Sequence, residues 1–450
     1  MQGIRGAPWR LQIFSTPAVP LAVLAVPLIT YLPTFYATEI GVKLTAVGVV
    51  FMFGRACDGA FDLLVGMMSD STRGRFGRRK PWMLAGLVPL MVSTWMLCQP
   101  SPGVGAGYLC VMLILFYVAW TVVQIPYLSW GAELAHSYDD RTVVFGFQQG
   151  GTLIGIILGT GLPALLLPSA SSIRSTLSVI SITAIILLPT TVIATLLFLP
   201  ERPASECGRI PINFVELRKI IRSNRPYIAF LIQWLAAYTA INIYSATMVL
   251  LITERLDLPG AFMSLVFWQY LSAIALLPLT LRAAHAIGRH KMLVLGLATI
   301  VAVLLLLMIV PARHYAIAAA VFALLGLPSA AVWALPPAMI ADLADFGRLQ
   351  GGTESTGTYM AGYNLVLKGG MALGVGIAFP LLASLGFDTT RLPPAQGGWS
   401  LLIVCCAIPA AMLIPCACLI WRYPIDAHRQ ELIQIRLRRR ELYSRGGFRA

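Results

Sequence analysis

The sequence predicts an all-α protein that crosses a membrane about twelve times, and three observations carry that prediction. Hydrophobic residues make up 58% of the 450 and charged residues only 12%, with a mean hydropathy of +0.78. That balance is far from that of a water-soluble domain. Apolar runs of about 18–25 residues recur along the whole chain, each long enough to cross ~30 Å of hydrocarbon as a helix. Lys and Arg collect in alternate connections between those runs, as membrane topology requires.

The runs fall near 17–38, 45–68, 82–100, 106–130, 144–168, 173–199, 226–251, 261–282, 292–311, 315–341, 357–384 and 398–421. In hydrocarbon each backbone N–H and C=O needs a partner within its own segment, so each run reads as a helix despite internal Gly and Pro. Arg5 and Arg10 precede the first run and no small-residue cleavage site follows it, so it is expected to remain a span. The second run ends in the basic turn Asp70-Ser-Thr-Arg-Gly-Arg-Phe-Gly-Arg-Arg-Lys-Pro81. Between the sixth and seventh runs, Glu201–Arg225 reads as a polar surface linker with one short amphipathic helix at Phe214–Ile221. The eighth run leads into Gly288-Arg289-His290-Lys291, which echoes Gly77-Arg78-Arg79-Lys80 at the equivalent place in the first half. The chain therefore divides into a six-span bundle over 1–200, a linker over 201–225, a second bundle over 226–421 and a tail over 422–450. With Arg438, Arg439 and Arg440, the tail reads as a basic helix lying along anionic headgroups.

With both termini on the cytoplasmic side, the segments on that side hold 26 of the 33 Lys and Arg. The outer loops hold five (Lys43, Arg174, Arg255, Arg313, Arg391), and Arg55 and Lys368 lie inside spans. The expectation is a multi-pass protein of the inner (plasma) membrane with both termini cytoplasmic. The same distribution accounts for the net charge of +14, so no nucleic-acid partner is implied. The eight cysteines sit mostly in spans without zinc-like spacing and read as small apolar residues.

Only two carboxylates, Asp58 and Asp62, lie deep inside a run; other acids such as Glu133, Asp342, Asp345 and Glu354 read as loop or helix-end residues. Arg55, Asp58 and Asp62 are spaced to share one helix face. Charges in the hydrocarbon layer are costly and normally face a bundle interior or a watery cavity. Two carboxylates one turn apart offer oxygens to a hard monovalent cation, or can share a proton. Lys368, in the other half, is the natural counter-charge. A repeated six-helix unit with a basic turn after its second helix is the layout of a rocking transporter, with the solute site near the midplane between the halves.

At these residues a family resemblance emerges. Arg55-x-x-Asp58-x-x-x-Asp62-x-x-x-Gly66-x-x-x-Asp70 followed by Gly77-Arg78-Arg79-x-Pro81-Trp82 resembles the signature of the glycoside–pentoside–hexuronide:cation symporters of the major facilitator superfamily. So do Ile125-Pro126-Tyr127-x-x-Trp130-Gly131-x-Glu133 with Arg141, Met339-x-x-Asp342-x-x-Asp345, Gly357, and Lys368-Gly369-Gly370 with Ala372-Leu373-Gly374. The resemblance implies a melibiose permease-like cation site of Asp58, Asp62, Thr121 and Lys368. Thr121 enters on the resemblance alone.

The departures limit what is carried over. Melibiose-type members hold sugar with acids on the first and fourth spans, an aromatic near the latter and an arginine on the fifth. Here the first span has no acid between Arg10 and Glu39, and the other three positions read Gln124, Leu128 and Gln148. Leu63 stands where many relatives have proline. Solute contacts must then be neutral: Gln124, Tyr127, Gln148, Gln149, Tyr363 and Asn364 first, with Trp120, Gln233, Asn242 and Tyr270 behind them. Asp70, Arg73, Arg78 and Arg79 are expected to form a cytoplasmic charge gate.

The functional expectation is Na⁺- or H⁺-coupled symport of a sugar, glycoside or related small solute, by a monomer that needs no cofactor. An amphiphile such as a lysolipid is the alternative cargo. No enzyme is expected: His136, His285, His290, His314 and His428 all fall in loops or tails without metal spacing. A channel is disfavoured because no filter motif or ring-forming charged repeat is present.

Overall fold

The computed structural model describes residues 8–72, 77–134, 138–167, 172–201, 224–350, 356–387, 394–425, 429–433 and 435–437. A short helix, Pro8–Ser15, leads into α1 (Ala18–Thr38). The first half continues with α2 (Leu44–Ser71), α3 (Lys80–Cys98), α4 (Ala106–Leu134), α5 (Tyr138–Leu166) and α6 (Ile173–Phe198). The second half comprises α7 (Arg225–Leu250), α8 (Phe262–Ile287), α9 (Arg289–Ile309), α10 (Tyr315–Leu324 and Gly326–Leu349), α11 (Thr356–Ser384) and α12 (Pro394–Leu402, resuming at Ile408–Trp421). Twelve helices among the described residues are long and apolar enough to cross a membrane, one for each expected run.

Local chemistry sets several helix ends. Asn224 caps α7 by accepting from the Tyr227 N–H at 3.2 Å, and Ser172 does the same for α6 from Ser175. Gly288, at φ +99°, ends α8 and starts α9 in a conformation that a residue with a Cβ rarely adopts. Among the described residues, α7 runs into a π-helical turn at Leu251–Arg255 and α12 contains one at Ile403–Ala407.

Helix 10 extends to Leu349, past the expected boundary, so Asp342 lies in the helix body and is 8% exposed. An ion pair with Arg289 makes that burial tolerable. The expected linker helix at Phe214–Ile221 lies outside the described residues. Of the tail, residues 429–433 and 435–437 are helical. Ile433 and Leu437 are buried there, and Gln430 Nε2 donates to Asp345 Oδ2 at 3.1 Å. This stretch packs on the protein rather than only on headgroups.

Within the first half, α5 lies backbone to backbone on α1. A Cβ at Gly151 or Gly155 would fall inside contact distance of the Ser15 or Val19 carbonyl, and one at Gly159 would lie 2.9 Å from the Val23 oxygen. Glycine every fourth residue is how helices approach closely in lipid, where no hydrophobic force drives them together.

Among the described residues the principal helix pairs that join the halves are α2 with α11, α1 with α7, and α5 with α8. Toward the end opposite the basic turns, here the far end, a Cβ at Gly48 would lie 2.7 Å from Pro380. Gly376 sits against Met52, and Gly161 against Phe267. Tyr31 meets Phe262 edge-on with ring centroids 5.0 Å apart.

Replacing Gly155 with Val is expected to cost about 1–3 kcal/mol by overpacking. Thermal unfolding of purified protein in detergent reads this as a lower midpoint. Gly146→Ala, on the same helix but facing open space, should leave the midpoint unlowered or raise it slightly, since Ala favours a helix interior over Gly.

Candidate cation and solute site

Helix 2 presents Asp58 and Asp62 on one face, with Phe53, Leu64 and Met67 exposed on the other. Asp58 is 3% exposed and Thr121, arriving from α4, is fully buried. The Thr121 hydroxyl lies 3.2 Å from Asp58 Oδ1 and 3.0 Å from Asp62 Oδ1. With one proton to donate, it serves one carboxylate at a time. Lys368 Nζ from α11 reaches the other oxygens, 2.9 Å from Asp58 Oδ2 and 2.5 Å from Asp62 Oδ2. It also lies 3.5 Å from the Asp58 backbone oxygen. The lysine stem runs beside Gly59, where a Cβ would meet its Cδ at an ordinary contact distance of 3.9 Å.

Arg55 completes the cluster. Its Nη1 is 3.6 Å from Asp58 Oδ2, and its guanidinium lies over the Tyr117 ring at 4.6 Å. That placement spreads its charge over an aromatic face rather than a second acid. Two cations and two anions therefore sum to zero. Each carboxylate points one oxygen at Lys368 and the other toward Thr121. Asp58 Oδ1, Asp62 Oδ1 and Thr121 Oγ1 form a hard-oxygen set suited to a monovalent cation or a proton. Among the described residues no cluster of three or more His, Cys, Asp and Glu forms a conventional metal site.

The expected solute residues are brought together less completely. Gln124 accepts from Trp120 Nε1 at 2.6 Å, which leaves its amide N–H groups for a ligand. Tyr127 departs from expectation: it is 1% exposed, stacks on Phe14 and donates its hydroxyl to the Phe14 carbonyl at 2.8 Å. Its polar group is used up in fixing the lead-in helix. Tyr363 is buried, Gln148 half-buried, and Gln149 and Asn364 exposed. Asn242 donates to the Tyr238 carbonyl of its own helix at 2.8 Å, and Tyr270 packs edge-on against Trp333.

At the basic end, Glu201 has a role that the linker reading missed. Its Oε1 accepts from the backbone N–H groups of Arg78 and Arg79 at 2.6 and 2.5 Å. A carboxylate there satisfies orphan donors and complements the helix dipole. Gly77, at φ +95°, leaves no room for a Cβ beside it. Lys80 Nζ donates to the Leu196 and Leu199 carbonyls at the end of α6, and Arg79 Nη1 donates to Ser69 on α2 at 2.7 Å. These bonds bolt the basic turn to helices of its own half. Of the expected gate, Arg73 lies outside the described residues and the Asp70 side chain is not described. The matching turn in the second half is held differently, by Arg289 donating to both Asp342 oxygens at 2.7 and 2.6 Å. Tyr117 was also missed, although it precedes Thr121 by one helical turn and so shares its face.

The geometry is that of a major facilitator: twelve helices in two halves with a charge cluster between them. The sequence profile described as "MFS/sugar transport protein" matches residues 13–427, and the chain belongs to that family. It is similar to a sodium-dependent lysophosphatidylcholine symporter of Xenopus tropicalis, 22% identical over 449 residues and covering 90% of this chain and 82% of that one. It is also similar to a glucuronide carrier protein homologue of Escherichia coli, 23% identical over 406 residues and covering 88% of each. Among solved structures, the nucleoside transporter NupG (D323A mutant) superposes with a TM-score of 0.69 at 11% identity, over 93% of this chain and 99% of that one.

Removing one cation from a neutral buried cluster leaves an uncompensated charge, which costs about 3–5 kcal/mol. Lys368→Met should therefore lower the unfolding midpoint sharply, whereas Lys368→Met with Asp62→Asn, which restores neutrality, should recover most of the loss. Equal midpoints for the single and double variants would contradict the charge balance described here.

Proposed function

We propose that the chain is a cation-coupled symporter that carries a sugar-like small organic solute, unchanged, by alternating access. The observation that carries this reading is the Asp58–Asp62–Thr121–Lys368 cluster, in which the acids of one half hold the lysine of the other. Na⁺ or H⁺ entering the site competes with Lys368 for the carboxylates. A loaded site no longer needs the lysine, so the midplane tie between the halves loosens and they can rock about the solute. Each charge carried inward across ~100 mV contributes ~2.3 kcal/mol, about a 40–50-fold gradient.

The excess of Lys and Arg at the basic end supports an orientation with that end in the cytoplasm. Among the described residues, the close contacts of Gly48, Gly376 and Gly161 across the halves lie toward the far end, which supports an inward-facing arrangement. Solute then contacts the remaining neutral groups near the cluster: the free amide of Gln124, Gln148, Gln149, Asn364 and the aromatic Trp120. In this reading the protein works as a monomer in the plasma membrane. Arg78 and Arg79 stiffen the first half and so control how it moves as a body.

An amphiphile is the second cargo reading. It is supported by the neutral residues Gln124, Leu128 and Gln148 at the positions where melibiose-type members carry charged or aromatic sugar ligands. The similarity to the lysophosphatidylcholine symporter supports it as well.

Uptake into proteoliposomes, with Na⁺ and pH gradients imposed separately on a panel of glycosides, hexuronides and lysolipids, tests both readings. One cation gradient should drive accumulation of one cargo class. Asp58→Asn and Asp62→Asn should each cut concentrative uptake to a tenth or less while allowing downhill exchange. Full accumulation by both variants, or uptake that ignores both gradients, would remove the symport reading.

A further inference from the structure

The described residues contain a cleft at the far end of the second half that shares no residue with the charge cluster. It has a volume of about 720 Å³ and lies between the end of α7, the α9–α10 turn and the start of α12. That size is within the ~300–1,000 Å³ of sites that hold small organic molecules.

Irregular backbone concentrates at this cleft. The π turn Leu251–Arg255 delivers Glu254 and Arg255 to its wall, and the π turn of α12 starts directly after Leu402. Such turns are rare and gather at functional sites. Asp257 (φ +51°) and Arg313 (φ +65°) are the two non-glycine residues with positive φ among the described residues, and both line the cleft. Arg313 Nε pairs with Asp257 Oδ2 at 2.5 Å, and the Arg313 N–H donates to the Leu256 carbonyl at 2.8 Å. These two positive-φ residues are joined at the cleft's exposed rim by an ion pair and a neighbouring backbone hydrogen bond.

That pairing leaves one acid and one base over. Among the described residues, the side chains of Glu254 and Arg255 make no hydrogen bond or ion pair. They are neighbours in sequence, carry opposite charges and face the same space. The rest of the wall is apolar, including Met308, Ile309 and Leu402. Ile309 is 74% exposed and Trp399 71% exposed, at the end of the spans where an indole sits well in the membrane interface.

The geometry points to a structural lipid site that holds one zwitterionic, amine-bearing phospholipid from the leaflet at the far end. Its phosphate takes the bidentate donors of Arg255. Its ammonium meets the carboxylate of Glu254, and an acyl chain runs down over Ile309 and Trp399 into the bilayer. The cleft is neutral overall, so an anionic head without an amine would satisfy Arg255 but leave Glu254 facing a like charge. Seated there, the lipid ties α7, α9 and α12 together at a corner where two of those three helices are locally irregular. The cleft shares no residue with the candidate cation and solute positions, so the inference is independent of the cargo assignment.

Native mass spectrometry of the intact protein, titrated separately with phosphatidylethanolamine and phosphatidylglycerol, tests the inference. Wild type should retain one phosphatidylethanolamine at least tenfold more tightly than phosphatidylglycerol. Arg255→Gln should weaken both lipids tenfold or more, whereas Glu254→Gln should erase the preference between them. That loss of discrimination is something a merely structural role would not produce. If the charge variants fail to fold, the comparison rests on quenching of Trp399 by brominated-acyl lipids in reconstituted protein, read as wild type minus Trp399→Phe. Stronger quenching by brominated phosphatidylethanolamine supports the site. Equal retention or equal quenching by the two lipids, or unchanged preference in Glu254→Gln, overturns it.

Discussion

The need to neutralise charge in a medium that cannot solvate it governs this structure. Asp58 and Asp62 cannot remain ionised in the membrane core alone, and nothing else on α2 can satisfy both. Their partner must come from another helix, and it is Lys368 on α11, in the other half. The packing of α2 on α11 serves that requirement: Gly48 admits Pro380 and Gly376 admits Met52, which brings the lysine stem alongside Gly59. A tie made of charge rather than apolar contact can be dissolved by another cation. The same interaction that closes the structure at its midplane is therefore open to competition from the ion that would drive transport.

The basic ends of the two halves obey the same constraint by different routes. In the first half, Glu201 supplies a carboxylate to the start of α3, and Lys80 returns a cation to the end of α6. Each charge sits where a helix dipole favours it. In the second half, Arg289 and Asp342 meet side chain to side chain. The echo between Gly77-Arg78-Arg79-Lys80 and Gly288-Arg289-His290-Lys291 is thus a repeat of turn geometry, since both begin with a positive-φ glycine, more than of partner chemistry. Both turns stiffen their own half, which is what rigid-body rocking requires.

Ion chemistry and cargo chemistry separate cleanly here. Every group of the candidate cation site converges within hydrogen-bonding distance, whereas the neutral residues expected to hold solute are scattered across buried, half-buried and exposed positions. Tyr127 shows why such residues are hard to assign from type alone. An aromatic with a hydroxyl suits a sugar, but it equally suits a helix crossing, and the Phe14 carbonyl claims it.

Much was legible in the chain itself. Composition, run length and the placement of Lys and Arg determined an all-α membrane protein of twelve spans, because the bilayer imposes its length and solvation rules on each segment separately. The periodicity of α2 singled out Arg55, Asp58 and Asp62 for the same local reason, and matching motifs supplied Thr121. The lone lysine of the other half, Lys368, was legible as the counter-charge of the two acids, but only the tertiary structure set its distances to both carboxylates, turned Tyr127 inward to Phe14 and placed Asp342 in a helix body held by Arg289. It alone showed Glu201 capping α3 rather than idling in a linker. Those outcomes depend on which faces meet when two bundles pack, and helical period cannot encode a contact between segments separated by half the chain.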